Sequence, residues 1–281
     1  MNHRIVRKEQ LGGDTYLFEI EAHLVAARFR PGQFVIIRTT DKGERVPLTI
    51  ADADRKKGTI VLIIQAVGKS TIELTSFDAG QALLDCIGPL GNPSEIANFG
   101  RVVCIGGGTG IACVYPIIGA LAGAGNEVIS IIGARTGSLL FLKDEINRLS
   151  KEFYVTTDDG SNGRRGLVTD ALADLLRRYN GAVGLQRVIA IGPPVMMRAV
   201  AHATRSYGVK TIVSLNTIMV DGTGMCGACR VYIDGTMKFA CIDGPEFDAH
   251  KVNFEDLISR LTMFEDKEKI ACPRAGHGRE R

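Results

Sequence analysis

Three cysteines and an aspartate crowd one stretch of the chain, Asp221, Cys226, Cys229 and Cys241, in the spacing Asp-x4-Cys-x2-Cys-x11-Cys. Thiolates are soft donors that select zinc or iron–sulfur centres, and plant-type [2Fe–2S] proteins use Cys-x4-Cys-x2-Cys followed by a distant Cys. Asp221 takes the first ligand position, which gives one iron a harder, less covalent donor. Gly222, Gly224 and Gly227 suit a loop that bends around an inorganic core and offers N–H donors to its sulfides. A zinc knot of three Cys and one Asp competes with this reading, although two Cys-x2-Cys knuckles are lacking. Reduced structural thiols are the third reading, and they would contribute little packing in so glycine-rich a loop.

A second chemistry lies in Ile105-Gly106-Gly107-Gly108-Thr109-Gly110-Ile111-Ala112, at a strand-to-helix junction. Glycines there let backbone approach a pyrophosphate, and the following helix turns its positive end toward it. The match to G-x-G-x-x-G is imperfect, with Cys113 at the last position, and a tight turn packing a helix on a sheet is the plainer alternative. The next strand ends Ile132-Gly133-Ala134-Arg135; an Arg there can accept a 2′-phosphate and leans toward NADP(H), or is only a solvated charge. Gly192 and Pro193 follow another strand end, where the carboxyl edge of the sheet would meet a nicotinamide.

Together the two sites require a third. A nicotinamide gives up two electrons as one hydride, whereas a [2Fe–2S] cluster takes one at a time, and a flavin is the cofactor that converts between them. Arg45-Val46-Pro47-Leu48-Thr49 offers a cation and a hydroxyl spaced four apart around a Pro. Gly68-Lys69-Ser70-Thr71 offers a small-residue anion cradle with its own cation. Taken singly, each is equally a charged edge strand or an ordinary loop.

The elements that would hold these sites fall into three parts. Residues 1–98 carry short apolar or β-branched runs, such as Thr15–Ile20, Phe34–Thr39 and Thr59–Ile64, separated by turn residues; they predict an antiparallel barrel able to take FAD. Residues 99–215 alternate compact apolar strands with helical segments, predicting a parallel sheet covered on both faces, an α/β nucleotide-binding domain. Leu139, Leu142, Ile146 and Leu149 mark one of its helices, and Leu172, Leu175 and Leu176 another. Residues 216–281 hold the cysteine loop, a hairpin through Ile233-Asp234-Gly235-Thr236, and a final helix capped by Asn253 with the stripe Phe254, Leu257, Ile258, Leu261, Phe264. The charged tail from Glu265 is expected to be mobile or to reach a partner.

Composition narrows the class. The chain has 281 residues, 45% of them apolar, with 34 Lys+Arg against 31 Asp+Glu; that balance argues against a nucleic-acid partner. The first ten residues contain no apolar stretch long enough for a signal peptide, so export is not expected, and the most apolar stretch, 102–124, is interrupted by Gly106, Gly107, Gly108, Gly110 and Pro116. It lacks the unbroken run of about 20 residues that crosses a bilayer, so a cytoplasmic protein with no membrane partner is expected. Cys86, Cys104, Cys113 and Cys272 are scattered singly, which excludes a disulfide scaffold.

In this order the chain resembles the ferredoxin reductase superfamily: flavin barrel, nucleotide domain, cluster domain. Within it, the runs Ser214–Arg230 and Thr156–Ser161 are similar to the electron-transfer subunits of dihydroorotate dehydrogenase and, more closely, to the small subunits of NADH-dependent reduced ferredoxin:NADP oxidoreductases. The dihydroorotate subunits carry Cys where this chain has Asp221. The resemblance implies that Arg45, with Pro47 and Leu48 beside it, meets the FAD pyrophosphate, and that Thr49 is the catalytic residue, at the flavin ring. Gly68, Lys69, Ser70 and Thr71 would hold FAD phosphates. Gly107, Gly108, Thr109 and Gly110 would bind NAD(H), with Arg135, Asp158 and Asp159 near its adenosine half, and Asp221, Cys226, Cys229 and Cys241 would ligate the cluster. Many superfamily members place a Cys-Gly-Pro beside the nicotinamide; here the triplet is Ile191-Gly192-Pro193.

The resemblance further implies a large flavoprotein partner with a second FAD and [4Fe–4S] clusters, for which this chain has no further Cys-rich run, and ferredoxin reached through that complex. NAD(H) is the expected nucleotide, against the lean of Arg135. A dihydroorotate dehydrogenase electron-transfer subunit is the alternative, and a zinc-stabilised nucleotide-binding redox adaptor the alternative that is not an enzyme.

Overall fold

The computed structural model describes residues 3–180, 184–264, 266, 267 and 270. The short apolar runs of the first part form strands β1 (His3–Gly12), β2 (Thr15–Glu21), β3 (Phe34–Arg38), β4 (Val46–Asp54), β5 (Thr59–Gln65), β6 (Ala82–Leu83) and β7 (Asp85–Leu90). Short helices α1 (His23–Arg28) and α2 (Lys69–Thr75) lie between them. The strands pair in the order β6-β1-β2-β5-β4-β3-β7. The edge strands β6 and β7 are consecutive in the chain with only Leu84 between them, and one residue spans about 3.8 Å. The sheet therefore has to curl until its edges meet. The result is the expected antiparallel barrel, nearly closed around Phe18, Ile20, Val35, Ile37, Ile60 and Leu62.

The second part alternates as its pattern requires: β8 (Arg101–Gly107), α3 (Gly110–Gly123), β9 (Glu127–Ala134), α4 (Lys143–Leu149), β10 (Glu152–Thr157), β11 (Arg164–Arg165), α5 (Val168–Arg178), β12 (Arg187–Ile191), α6 (Pro194–Arg205) and β13 (Lys210–Ser214). Along β8, Val103 and Ile105 pack with Leu172, Leu175 and Val200, while Val102 and Cys104 pack with Ile117, Leu121 and Ile146. Both faces are buried, which is why the strand reads as an unbroken apolar run.

After Asn216 come β14 (Arg230–Ile233), β15 (Thr236–Phe239), α7 (Ala240–Asp243), β16 (Glu246–Asp248) and α8 (Phe254–Leu261). The hairpin turn is the expected one, with Asp234 and Gly235 both at positive φ. β16 leaves this segment to pair antiparallel with β13, extending the nucleotide-binding sheet. Asn253 caps α8 by accepting from the Asp256 N–H at 3.0 Å.

Two local expectations need correction. Leu139 is not on the helix of Ile146: residues Gly137–Leu139 form a separate 3-10 turn and Leu142 takes a φ of 54°, so α4 starts only at Lys143. The stripe of α8 ends at Leu261, and Phe264 lies beyond the helix and is 42% exposed. Cys272 and most of the tail from Glu265 lie outside the described residues. No helix among the described residues is long and apolar enough to cross a membrane.

Candidate functional site

The parallel sheet reverses its strand order at β8: β9 and β10 lie on one side, β12 and β13 on the other. Open α/β sheets take ligands in the crevice at such a reversal, and the two loops expected to touch the dinucleotide both open there. Gly107 and Gly192 sit together beneath Met196; a Cβ on Gly107 would stand 2.3 Å from the Met196 sulfur, and one on Gly192 3.1 Å from the Gly107 carbonyl oxygen. A Cβ on Gly110 would fall 2.0 Å from the Ile191 carbonyl oxygen, so α3 starts this close to β12 only without a side chain. Gly108 differs: its φ is +55° and nothing lies within 4 Å of its missing Cβ. That bare backbone lies at the positive end of α3 beside Thr109, the kind of place where helix N-termini accept anions.

Arg135 follows β9, and Asp158 and Asp159 follow β10. The Asp158 N–H donates to the Ala134 carbonyl at 3.2 Å and the Asp159 N–H to the Arg135 carbonyl at 3.3 Å, so the three residues share one corner. The Asp159 carboxylate accepts from the Ser161 hydroxyl at 2.6 Å and the Ser161 N–H at 2.9 Å. These bonds hold it below the usual carboxylate range and commit it to shaping the turn.

On the barrel, Pro47, Leu48 and Thr49 lie on β4 with Arg45 just before it; Pro47 stands opposite Ile36 and Thr49 opposite Phe34 on β3. Thr49 also lies beside Cys113, one turn into α3. Burial pushes the Cys113 thiol up, the Thr49 hydroxyl pulls it back, and the thiol reaches the Thr109 carbonyl at 3.8 Å. Cys113, visible in the sequence only as the residue that breaks the glycine pattern, thus stands where the barrel strand meets the dinucleotide helix.

Gly68 precedes α2, and the Thr71 hydroxyl accepts from its N–H at 3.0 Å. Lys69 and Ser70 are engaged by a residue that sequence reasoning missed. Glu44 lies 3.7 Å from the Lys69 Nζ and accepts from the Ser70 hydroxyl, so a phosphate entering this cradle has to displace a carboxylate.

The metal-ligating candidates form two pairs. Cys229 and Cys241 are buried with their sulfurs 3.2 Å apart. Burial and the neighbouring Cys229 push the Cys241 thiol up. Asp221 and Cys226 form the second pair: Asp221 accepts from the Thr223 N–H at 2.8 Å and the Cys226 N–H at 2.6 Å, which holds its carboxyl below the usual range. Among the described residues the two pairs do not converge on one point. Their chemistry nonetheless fits a bound metal centre. Two sulfurs this close cannot both ionise without a cation between them, and a carboxylate with two N–H donors keeps lone pairs for a metal. The loop lies directly on the barrel: a Cβ on Gly222 would stand 2.7 Å from Leu90 and 2.8 Å from Ile36, and Phe34 and Ile36 share an apolar cluster with Cys229 and Cys241.

A barrel edge, a dinucleotide crevice and a cysteine loop meeting at one strand pair define a nucleotide-linked oxidoreductase built for electron transfer. Comparisons with known proteins agree. Residues 104–202 match the oxidoreductase NAD-binding domain, and residues 216–253 match the iron-sulfur cluster binding domain of dihydroorotate dehydrogenase B. The chain is 46% identical over 272 residues to the dihydroorotate dehydrogenase B (NAD(+)), electron transfer subunit homolog, of Thermotoga maritima, covering 97% of this chain and 95% of that one. It is 33% identical over 257 residues to the electron transfer subunit of Geobacillus thermodenitrificans, covering 88% and 96%. It superposes with a TM-score of 0.91 and 46% identity on a chain of the NADH-dependent reduced ferredoxin-NADP oxidoreductase, a structure described for flavin-based electron bifurcation, with 98% of each chain covered.

The chain belongs to the family of dihydroorotate dehydrogenase B electron transfer subunits and their homologues. The expected cofactor set agrees with these matches: FAD and a [2Fe–2S] cluster, read from the residues, and NAD(H), implied by the resemblance.

Proposed function

We propose that this chain is the FAD and [2Fe–2S] electron-transfer subunit of an NADH-dependent reduced ferredoxin:NADP oxidoreductase, beside a larger flavoprotein subunit with a second FAD and [4Fe–4S] clusters. The observation that carries the reading is Asp221: a carboxylate stands in the first ligand position, bonded to the Cys226 N–H in the same loop, where the dihydroorotate subunits are expected to carry Cys. The structural likeness at 46% identity supports it.

Gly107, Gly108, Thr109 and Gly110 bind the dinucleotide pyrophosphate, and Gly192 and Pro193 let the nicotinamide approach β4. Thr49 hydrogen-bonds the flavin ring, while Arg45, Lys69, Ser70 and Thr71, backed by Gly68, hold the FAD pyrophosphate once Glu44 yields. Asp221, Cys226, Cys229 and Cys241 hold the cluster against Phe34 and Ile36, which exclude water between cluster and barrel. When bound, the flavin supplies the exchange between hydride and single-electron chemistry. Arg135 and Asp158 frame the adenosine half of NAD(H). The chain is thereby the arm that returns electrons to NAD, and ferredoxin is served through the partner.

A dihydroorotate dehydrogenase electron-transfer subunit is the second reading, favoured by the match at residues 216–253 and by the names of the relatives. Anaerobic isolation of the native chain with whatever co-purifies tests both. Flavin, about two irons per chain and a flavoprotein partner with [4Fe–4S] clusters are expected, with NADPH reducing ferredoxin only when NAD is present. A dihydroorotate-oxidising partner establishes the second reading instead, and a colourless zinc protein overturns both.

A further inference from the structure

Two arginines outside the ligand set grip the cysteine loop by its carbonyls. Arg230, which opens β14, donates from Nη1 to the Gly227 carbonyl at 3.3 Å, and Arg260, in the last turn of α8, donates from Nη2 to the Ala228 carbonyl at 3.2 Å. Both carbonyls lie between Cys226 and Cys229. A planar trans peptide carries its C=O and N–H on opposite sides, so pinning these oxygens turns the N–H groups of Ala228 and Cys229 away from the guanidiniums. Among the described residues neither guanidinium forms an ion pair with a carboxylate; both donate to backbone carbonyls. The two flank a small cavity lined otherwise by Ile218, Ala228, Leu257, Leu261 and Thr217, whose buried hydroxyl has no partner. Arg260 is half-buried in it, whereas Arg230 is exposed.

We propose that Arg260, seconded by Arg230, sets the redox poise of the centre held by Asp221, Cys226, Cys229 and Cys241, shifting it toward the reduced state. The proposal rests on the reading of that loop as a [2Fe–2S] site. Reduction there is the gain of one electron from a reduced flavin, with no bond made or broken, and it adds one negative charge. A positive group beside the loop favours the more negative state. A carbonyl polarised by a guanidinium also makes the N–H donors of a hydrogen-bonded backbone stronger, which favours electron-rich sulfur. Both effects have the same sign. Arg260 acts more strongly because burial protects it from solvent screening. The arginines touch neither ligand sulfurs nor substrate, so they are positioning residues.

The test is a potentiometric titration of the full chain followed by the paramagnetic signal of the cluster, with the FAD absorbance of the same sample as internal reference. Arg260→Gln keeps a donor for the Ala228 carbonyl and removes the charge. At the wild-type midpoint its ratio of reduced to oxidised cluster is expected to fall about fivefold, with the flavin titration unmoved, and Arg260→Lys is expected to restore most of it. Arg230→Gln is expected to shift the ratio the same way by about twofold. A full iron complement and an unshifted titration in Arg260→Gln overturns the proposal. If Arg260→Gln does not retain iron, Arg230→Gln decides: a fall supports the proposal and an unmoved titration overturns it. Wild-type chain without an iron signal overturns instead the reading of the loop on which the proposal rests.

Discussion

Phe34 stands directly opposite Thr49 on the β3–β4 ladder, and the Phe34 ring shares an apolar cluster with Cys229 and Cys241. Cross-strand neighbours project from the same face of a sheet. One pair of residues therefore joins the cysteine loop to the barrel position that lies beside α3, and the three sites follow one another through contact.

Thr49→Ala is expected to slow reduction of the bound flavin by NADH about tenfold, the scale of a lost orienting contact, while FAD stays bound. Stopped-flow reduction set against FAD content checks this; equal loss of both assigns Thr49 a structural role.

Asp221→Cys is expected to retain a cluster with an altered paramagnetic spectrum, since thiolate and carboxylate both ligate iron. Asp221→Ala is expected to lose iron and also to loosen the loop, because the Thr223 and Cys226 N–H groups lose their acceptor. Iron analysis with spectroscopy separates the two, and retention of the wild-type spectrum in Asp221→Ala removes Asp221 from the ligand set.

The glycine loop separates packing from binding. Gly110→Ala places a methyl 2.0 Å from the Ile191 carbonyl oxygen and is expected to cost about 2–4 kcal/mol of stability in denaturant titrations. Gly108→Ala meets no neighbour and costs only the strain of its φ, about 1 kcal/mol. Its larger effect is on NAD(H) affinity, read by nucleotide titration; unchanged affinity there dissolves the cradle.

A pH dependence follows from Glu246 on β16. Burial pushes its carboxyl up from the ordinary range, helped by Glu95, against the Ser94 hydroxyl that donates to it at 2.5 Å and the charge of Arg187, both of which pull it down. A carboxyl that holds its proton more tightly when folded stabilises fully below the unfolded value, about 4.3. That contribution is lost as pH rises through the folded value. Thermal stability is expected to decline with rising pH on this account, and Glu246→Gln, neutral throughout, flattens the slope. A slope unchanged in Glu246→Gln assigns it to other groups.

What was legible in the sequence is what covalent spacing constrains. Asp221, Cys226 and Cys229 stand out as candidate ligands because ligands on one loop must recur at short fixed intervals, and residues 216–253 do match an iron-sulfur cluster binding domain. Gly107 to Gly110 stand out because glycines at a strand-to-helix junction permit close backbone approach, here to Met196 and Ile191 at Gly107 and Gly110. The unbroken apolar run of β8 marks a strand buried on both faces, and the short apolar runs of β2 and β5 between turn residues mark barrel strands. Leu139 and Phe264 mislead because a helical period continues past a helix end when apolar residues pack from a turn or lie exposed on a tail.

The meeting of the sites was decided by tertiary structure alone. Nothing near Cys113 in the chain points to Thr49, nothing near Lys69 points to Glu44, and nothing near Ala228 points to Arg260. Each pair is made only when the barrel closes through Leu84, α3 settles on β4, and α8 packs back on the sheet that β16 extends. Local pattern fixes which residues can do chemistry, because backbone geometry and side-chain type are read a few residues at a time. Which of them touch depends on which buried faces meet, a property of the whole packed chain that no short window contains.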